Sequence, residues 1–74
     1  MKVLEIFYFP NGSTGIVIDC RDPIKIGNKI TDGKRVWEVL SIEVAWILNG
    51  EVKEKSLLIK GKGEPRIGAM LVLA

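Results

Sequence analysis

The sequence contains no histidine and a single cysteine, Cys20, among its 74 residues. Without histidine, the chain lacks the commonest general base and a frequent zinc ligand, which excludes Ser–His–Asp chemistry and most zinc sites. One cysteine excludes an internal disulfide and a cysteine metal cluster. These absences predict a chain that is not an enzyme and that carries no cofactor and no metal.

Long apolar runs are also missing, so no segment of the sequence is predicted to span a membrane. The apolar N-terminal stretch MKVLEIFYFP is interrupted by Glu5 and ended by Pro10, and no small-residue cleavage site follows. We therefore expect no signal peptide and no membrane partner. A single cysteine fits a reducing compartment, and the predicted location is cytoplasmic.

The composition is that of one small globular domain covering residues 1–74. Apolar residues make up 47% of the chain and charged residues 27%, which argues against disorder. The net charge of +2 is too small to indicate nucleic-acid binding by itself. A net charge of +2 still allows the basic residues to cluster on one face of the domain.

Apolar residues alternate along the chain and rarely keep helical spacing, and eight glycines are spread throughout. The pattern predicts strands at residues 2–9, 14–20, 35–48, 51–59 and 69–74, with a short apolar pair at Ile24 and Ile26. We expect an all-β fold, a small six-stranded antiparallel β-barrel that is closed or nearly closed, because closure removes exposed edges.

The longest predicted strand ends at Asn49-Gly50, a pair typical of a two-residue type I′ hairpin turn. That turn predicts a register with five cross-strand pairs: Leu48–Glu51, Ile47–Val52, Trp46–Lys53, Ala45–Glu54 and Ile42–Leu57. A strand this long is expected to coil, and a bulge along it would change which residues face inward.

Two glycine-containing pairs interrupt the apolar residues between the second strand and the long strand. Gly27-Asn28 is interpreted as a tight turn or bulge, and Asp32-Gly33 as a hairpin-type turn. This arrangement predicts that Ile24, Ile26 and Ile30 all reach one core.

The order of four motifs, TGIVID, DPIKIGNKI, VWEVLSIE and PRIGAMLVL, resembles the β-barrel that forms the second domain of translational GTPases. The matching steps fall at residues 15–19, 24–30, 38–42 and 68–73. Asn28 stands where that family usually has an acidic residue, and residues 46–59 form a hairpin in place of its variable connection. No Gly-rich loop ending in Gly-Lys-Ser/Thr is present, so the resemblance implies the barrel and no GTPase activity.

Three residues near the end of the second predicted strand are candidates for catalysis or metal binding. Cys20 beside Arg21 is a candidate nucleophile, but its phase with Ile16 and Ile18 favours a core position. Asp19 and Asp22 are a candidate carboxylate pair, but Asp22-Pro23 is typical of a turn, and two carboxylates underfill a calcium shell.

Surface aromatic residues and basic loops are the candidate interaction features. Trp37 and Trp46 have opposite parity on an unbroken strand, so one of them is expected on the outer surface, where it would mark a protein contact. The basic residues lie in two predicted loop tips: Lys34, Arg35, Lys60, Lys62 and Arg66.

Two functions follow from these features. The first is a translation-factor-like interaction module that docks on a protein partner or self-associates, and the alternative is an RNA-binding or ribonucleoprotein-binding domain that uses the basic tips.

Overall fold

The structure, a computed structural model, describes residues 1–20 and 23–74, and these form one sheet of six antiparallel strands without a helix. The strands are β1 (Lys2–Tyr8), β2 (Thr14–Asp19), β3 (Lys29–Thr31), β4 (Val36–Leu48), β5 (Glu51–Lys60) and β6 (Val72–Leu73). Their order across the sheet is β1-β2-β5-β4-β3-β6. The all-β prediction with six antiparallel strands is confirmed.

The sheet curls into a half-barrel and remains open, because β6 pairs with β3 and not with β1. Residues 68–71, just before β6, contact the start of β1 through an isolated bridge between Lys2 and Met70. Backbone hydrogen bonds support this contact: Gly68 N donates to Val3 O at 2.7 Å, and Leu71 N donates to Met1 O at 2.7 Å. The prediction of a closed or nearly closed barrel is thus confirmed only in part, because the six strands form a curled sheet that is open rather than closed.

A bulge in β4 interrupts the regular alternation of its side chains. Val39 pairs with Ile59 and Ser41 pairs with Leu58, which leaves Leu40 as an extra residue on β4. Bulges increase the local twist and bend a strand.

The β4–β5 turn has positive φ at both central residues, 52° at Asn49 and 78° at Gly50, as a type I′ turn requires. Three predicted pairs are confirmed: Leu48–Glu51, Ile47–Val52 and Ile42–Leu57. The other two are wrong. Trp46 lies opposite Glu54, because an irregularity between Ile47 and Trp46 shifts the register by one residue. A second irregularity, between Trp46 and Val44, restores the predicted register, so that Val44 pairs with Lys55.

The core lies on the inner side of the curled sheet. Its buried members are Val3, Ile16, Ile18, Cys20, Ile24, Ile30, Trp37, Val39, Leu57, Ile59 and Leu71. The predicted core position of Cys20 is confirmed, with 2% of its surface exposed. The core position predicted for Ile26 is wrong, since 67% of this side chain is exposed.

The turn at Gly27 explains why Ile26 points outward. Gly27 has a φ of 90°, Asn28 N donates to Lys25 O at 3.0 Å, and Asn28 Oδ1 accepts from Lys25 N at 2.8 Å. This closed turn reverses the chain directly after Ile26, so only Ile24 and Ile30 reach the core. The turn predicted at Asp22-Pro23 lies partly outside the described residues, because Asp22 is not among them. In the described part of the chain, no helix has the length and apolarity needed to cross a membrane.

Candidate interaction surfaces

The β4–β5 hairpin extends beyond its neighbours and exposes large apolar side chains at that end. β2 pairs with β5 only from Glu54 to Ile59, so the turn-proximal part of β5 has β4 as its only partner among the described strands. Four neighbouring β4 side chains are about half exposed, and we call them the apolar hairpin surface: Val44, Trp46, Ile47 and Leu48. Exposed apolar side chains that gather at one end of a molecule mark interaction sites more often than scattered ones do.

The outer edge of β4 is open along most of its length. β3 pairs with β4 only from Val36 to Glu38, and Val39 completes this contact through hydrogen bonds with Gly27 and Asn28. Within residues 1–20 and 23–74, no strand pairs with this edge from Leu40 to Leu48. Sheet edges of this kind are templates for another strand.

A cleft of about 580 Å³ adjoins Trp46 at the same end of the molecule. Its apolar lining comes from Met1, Leu4, Cys20, Trp46 and Met70, while Asp19, Lys53 and Glu54 contribute charged groups. Methionine and tryptophan adapt well to apolar partners. The predicted cross-strand pairing of Trp46 with Lys53 is wrong, since Trp46 lies opposite Glu54, and Lys53 Nζ forms a salt bridge with Glu51 Oε2 at 2.8 Å.

Trp37 lies in the core and anchors a loop, so it is not available for surface contacts. Only 1% of its surface is exposed, and its indole Nε1 donates to Gly63 O at 3.2 Å. A Cβ at Gly61 would lie 2.7 Å from both Trp37 Cδ1 and Val36 O. Gly61 therefore allows the loop after β5 to pass directly over the indole.

The two predicted basic tips meet at the opposite end of the long strands. The Arg35 guanidinium lies against Gly63, where a Cβ would collide with it. Lys34, Arg35 and Arg66 line a single cleft of about 540 Å³, together with Asp32 and Glu64. The structure thus brings residues from both loops to one cleft.

The remaining two basic candidates lie outside this cleft. Lys60 lines a separate depression with the turn residues Asn11 to Thr14, and Lys62 is an exposed loop residue. Only three of the five predicted basic residues therefore share one site.

Both carboxylates that line the cleft of Lys34, Arg35 and Arg66 already accept hydrogen bonds. Asp32 Oδ1 accepts hydrogen bonds from Lys34 N and Arg35 N, both at 2.9 Å, and these bonds lower the pKa of Asp32. Tyr8 Oη donates to Glu64 Oε1 at 3.3 Å. Partial desolvation and the nearby Glu64 carboxylate raise the pKa of Tyr8. Three cations and two anions leave the cleft with a net charge of only +1.

The candidate catalytic groups do not form a site in the described residues. Cys20 is buried. No group of three or more His, Cys, Asp or Glu side chains in residues 1–20 and 23–74 is arranged to hold a metal ion. Arg21 and Asp22, the predicted partners of Cys20 and Asp19, lie outside the described residues.

Several residues of these surfaces escaped prediction. Apolar residues occupy both odd and even positions at the end of this long strand, which indicates that some of them, such as Val44, Ile47 and Leu48, are exposed. The approach of Met1 and Met70 to Trp46 depends on a contact between the two ends of the chain, which carries no local signal.

No protein-family model matches the chain, and neither a curated protein nor a solved structure is detectably similar to it.

Proposed function

We propose that this chain is a non-enzymatic protein-interaction module that docks through the apolar hairpin surface and the adjoining open edge of β4. The observation that carries the proposal is the half-exposure of Val44, Trp46, Ile47 and Leu48 on one projecting end of the molecule. A domain of this size has little apolar surface to bury, so leaving four large apolar side chains outside the core lowers its stability considerably.

Burial of this surface by a partner favours a protein contact. Completing the burial of four half-exposed apolar side chains stabilises a complex by about 1 kcal/mol each, or about 4 kcal/mol together. Backbone hydrogen bonds along the β4 edge add affinity in the manner of strand addition. An aromatic anchor such as Trp46 beside a cleft is the residue type most often dominant at interfaces.

The proposal that the module is not an enzyme rests on the side chains available. The sequence has no histidine, and its one cysteine is buried. The cleft beside Trp46 contains Asp19, Lys53 and Glu54 as its charged groups, and Lys53 is paired with Glu51. This arrangement suits recognition of an apolar side chain.

Retention on an immobilised chain tests the proposed docking surface. The native chain, Ile47→Lys and the matched control Ile67→Lys are exposed to an extract of the source cells, to which the untagged native chain is added. Ile47 and Ile67 are exposed by 55% and 67%, so neither substitution disturbs the core. We expect a specific protein, or the chain itself, to be retained by the native chain and by Ile67→Lys.

Retention should fall at least about 5-fold with Ile47→Lys, because losing about 1 kcal/mol of apolar burial weakens an affinity by about that factor. Identical retained proteins with all three baits would contradict the proposal.

The meeting of the two basic tips favours a second function, binding of RNA through the cleft of Lys34, Arg35 and Arg66. These cations come from two loops that the contact of Arg35 with Gly63 holds together. Three phosphate contacts to single-stranded RNA predict a slope of about −2 for log affinity against log salt.

Fluorescence anisotropy with a labelled single-stranded RNA at low salt tests this second function. Arg66→Ala should weaken binding and reduce the salt slope by about 0.7, whereas Lys53→Ala, at the hairpin end, should change neither. Absence of binding by the native chain at low salt removes the RNA hypothesis and leaves the protein-docking proposal intact.

We also infer a relationship to the barrels of translational GTPases, on the sequence motifs alone. The motif residues Gly15 to Asp19 lie in β2, Ile30 lies in β3, and the residues Glu38 to Ile42 lie in β4 at the bulge. A homologous sequence that links this chain to that family by alignment over the same strands would support the relationship.

A further inference from the structure

We propose that the cleft beside Trp46 receives an arginine side chain of a partner protein. This inference rests on the proposed function and names the chemistry by which the partner is recognised at the same end of the molecule. The aliphatic stem of the arginine packs on the apolar lining of the cleft. Its guanidinium group lies between the Trp46 ring and the carboxylates of Asp19 and Glu54.

Three of the lining residues form a row across neighbouring strands. Asp19 of β2 lies opposite Glu54 of β5, and Glu54 lies opposite Trp46 of β4. Residues that are directly opposite share a face of the sheet, with Cβ atoms about 4.5–5.5 Å apart. The register irregularities beside Trp46 do not separate the three side chains, since all of them line the same cleft of about 580 Å³. One side of the cleft therefore presents an indole ring next to two carboxylates.

The negative charge of these carboxylates is not balanced by a neighbouring cation. Within residues 1–20 and 23–74, neither Asp19 nor Glu54 forms an ion pair, and Lys53, which also lines the cleft, is paired with Glu51. Asp19 accepts a hydrogen bond from Lys2 N, which is uncharged. Like charges directly opposite each other on neighbouring strands are destabilising. A cation supplied by a partner relieves this repulsion.

The rest of the lining suits a long aliphatic stem. Met1, Leu4 and Met70 contribute apolar surface to the cleft, and methionine side chains adapt to the shape of a partner. The ammonium group of Met1 donates to Leu71 O at 2.9 Å. Trp46 is 50% exposed, and an indole is the aromatic ring that attracts a cation most strongly. The cleft thus combines an apolar floor with a site for a positive charge.

This combination favours arginine in a protein over other cations. A guanidinium group is planar, carries five N–H donors, stacks on aromatic rings and can bond two carboxylates at once, whereas the lysine ammonium is a compact and strongly hydrated charge. Trp46 also belongs to the apolar hairpin surface, which an isolated amino acid would leave uncovered. A protein that inserts one arginine buries both the cleft and this surface, and arginine is enriched among the residues that dominate interfaces.

Titration with two blocked tripeptides tests the inference. The first is Ala-Arg-Ala, and the second has citrulline in place of arginine, which keeps the shape of the side chain and removes its charge. The shift of the Trp46 indole N–H resonance reports binding, and the buried Trp37 is the internal reference. A single side chain binds weakly, with a dissociation constant on the order of millimolar. We expect the citrulline peptide to bind at least about 5-fold more weakly than the arginine peptide.

A matched pair of variants locates the arginine. Glu54→Gln removes a carboxylate from the cleft, whereas Glu38→Gln removes an exposed carboxylate from the other end of β4. Both lower the negative charge of the chain equally, so general attraction of a cation is the same in the two. Glu54→Gln should weaken binding of the arginine peptide about 3-fold, and Glu38→Gln should leave it unchanged. Equal shifts with the two peptides, or equal affinities of the two variants, would overturn the inference.

The failure of this inference differs from failure of the proposed function. If the arginine peptide is not preferred but a protein is retained in a manner sensitive to Ile47→Lys, the inferred arginine is wrong and the docking surface stands. If retention is also the same for all baits, both are wrong.

Discussion

Replacing Gly61 with alanine tests how the loop after β5 is held against the core. The added Cβ would lie 2.7 Å from Val36 O, 2.7 Å from Trp37 Cδ1 and 3.2 Å from Trp37 Cγ. Neither neighbour can easily move. Val36 pairs with Thr31 of β3, and the Trp37 indole is buried and hydrogen-bonded to Gly63 O. Overpacking against such fixed atoms costs about 1–3 kcal/mol.

Gly15→Ala provides a matched control for this substitution. A Cβ at Gly15 would also be crowded, at 2.9 Å from Phe9 Cε2, but Phe9 is 47% exposed and its ring can move outward. Alanine also restricts the unfolded chain more than glycine, which favours folding by about 0.5–1 kcal/mol at a compatible site. We therefore expect Gly15→Ala to be close to neutral.

Thermal unfolding followed by circular dichroism measures the difference. For a domain of this size, 1 kcal/mol corresponds to about 4–8 °C in Tm, so Gly61→Ala should melt at least about 6 °C below Gly15→Ala. The indole N–H resonance of Trp37 should also shift in Gly61→Ala. A Tm for Gly61→Ala equal to or above that of Gly15→Ala would refute the packing of this loop over the indole.

Further predictions concern the two tryptophans and two titrating groups. Trp37→Ala should destabilise the fold by about 3–5 kcal/mol, whereas Trp46→Ala should cost about 1 kcal/mol or less, as measured by urea unfolding. The raised pKa of Tyr8 means that the Tyr8 hydroxyl contributes to stability below pH 10, and that this contribution is lost as the pH rises through the folded-state pKa. Glu64→Gln should lower the pKa of Tyr8, as measured by spectrophotometric titration. The lowered pKa of Asp32 means that its carboxylate contributes to stability above pH 3.8, and that this contribution is lost as the pH falls through the folded-state pKa. Asp32→Ala should remove this acid sensitivity. An unchanged curve of stability against pH would contradict the hydrogen bonds that Asp32 accepts from Lys34 N and Arg35 N.

Local sequence patterns predicted the strands and turns well, because their physical causes are local. Asn49-Gly50 specifies a turn that needs positive φ at both positions, and that turn determines the register of the nearest pairs. The same reasoning failed at Trp46, since paired irregularities displace the register there without a marker in the sequence. Ile26 was misassigned because alternation was extended through residues that form a closed turn.

The candidate surfaces were predictable only in part, because they depend on contacts between distant segments. The opposite parities of Trp37 and Trp46 predicted that one of them would be exposed, and Trp46 is 50% exposed while Trp37 is buried. Which one was exposed depended on the bulge at Leu40 and on the loop covering Trp37. The approach of Arg35 to Gly63 joins segments 28 residues apart and has no local signature.

The most direct test of the docking surface is fluorine NMR of the chain labelled with 5-fluorotryptophan, which gives one resonance for each tryptophan. Spectra are recorded across a concentration series and after addition of any protein that the native chain retains. Docking at the hairpin end predicts that the Trp46 resonance shifts and loses its solvent-isotope effect, while that of the buried Trp37 stays constant. A Trp46 resonance that remains unchanged and solvent-exposed in every one of these samples would contradict the proposed interaction surface.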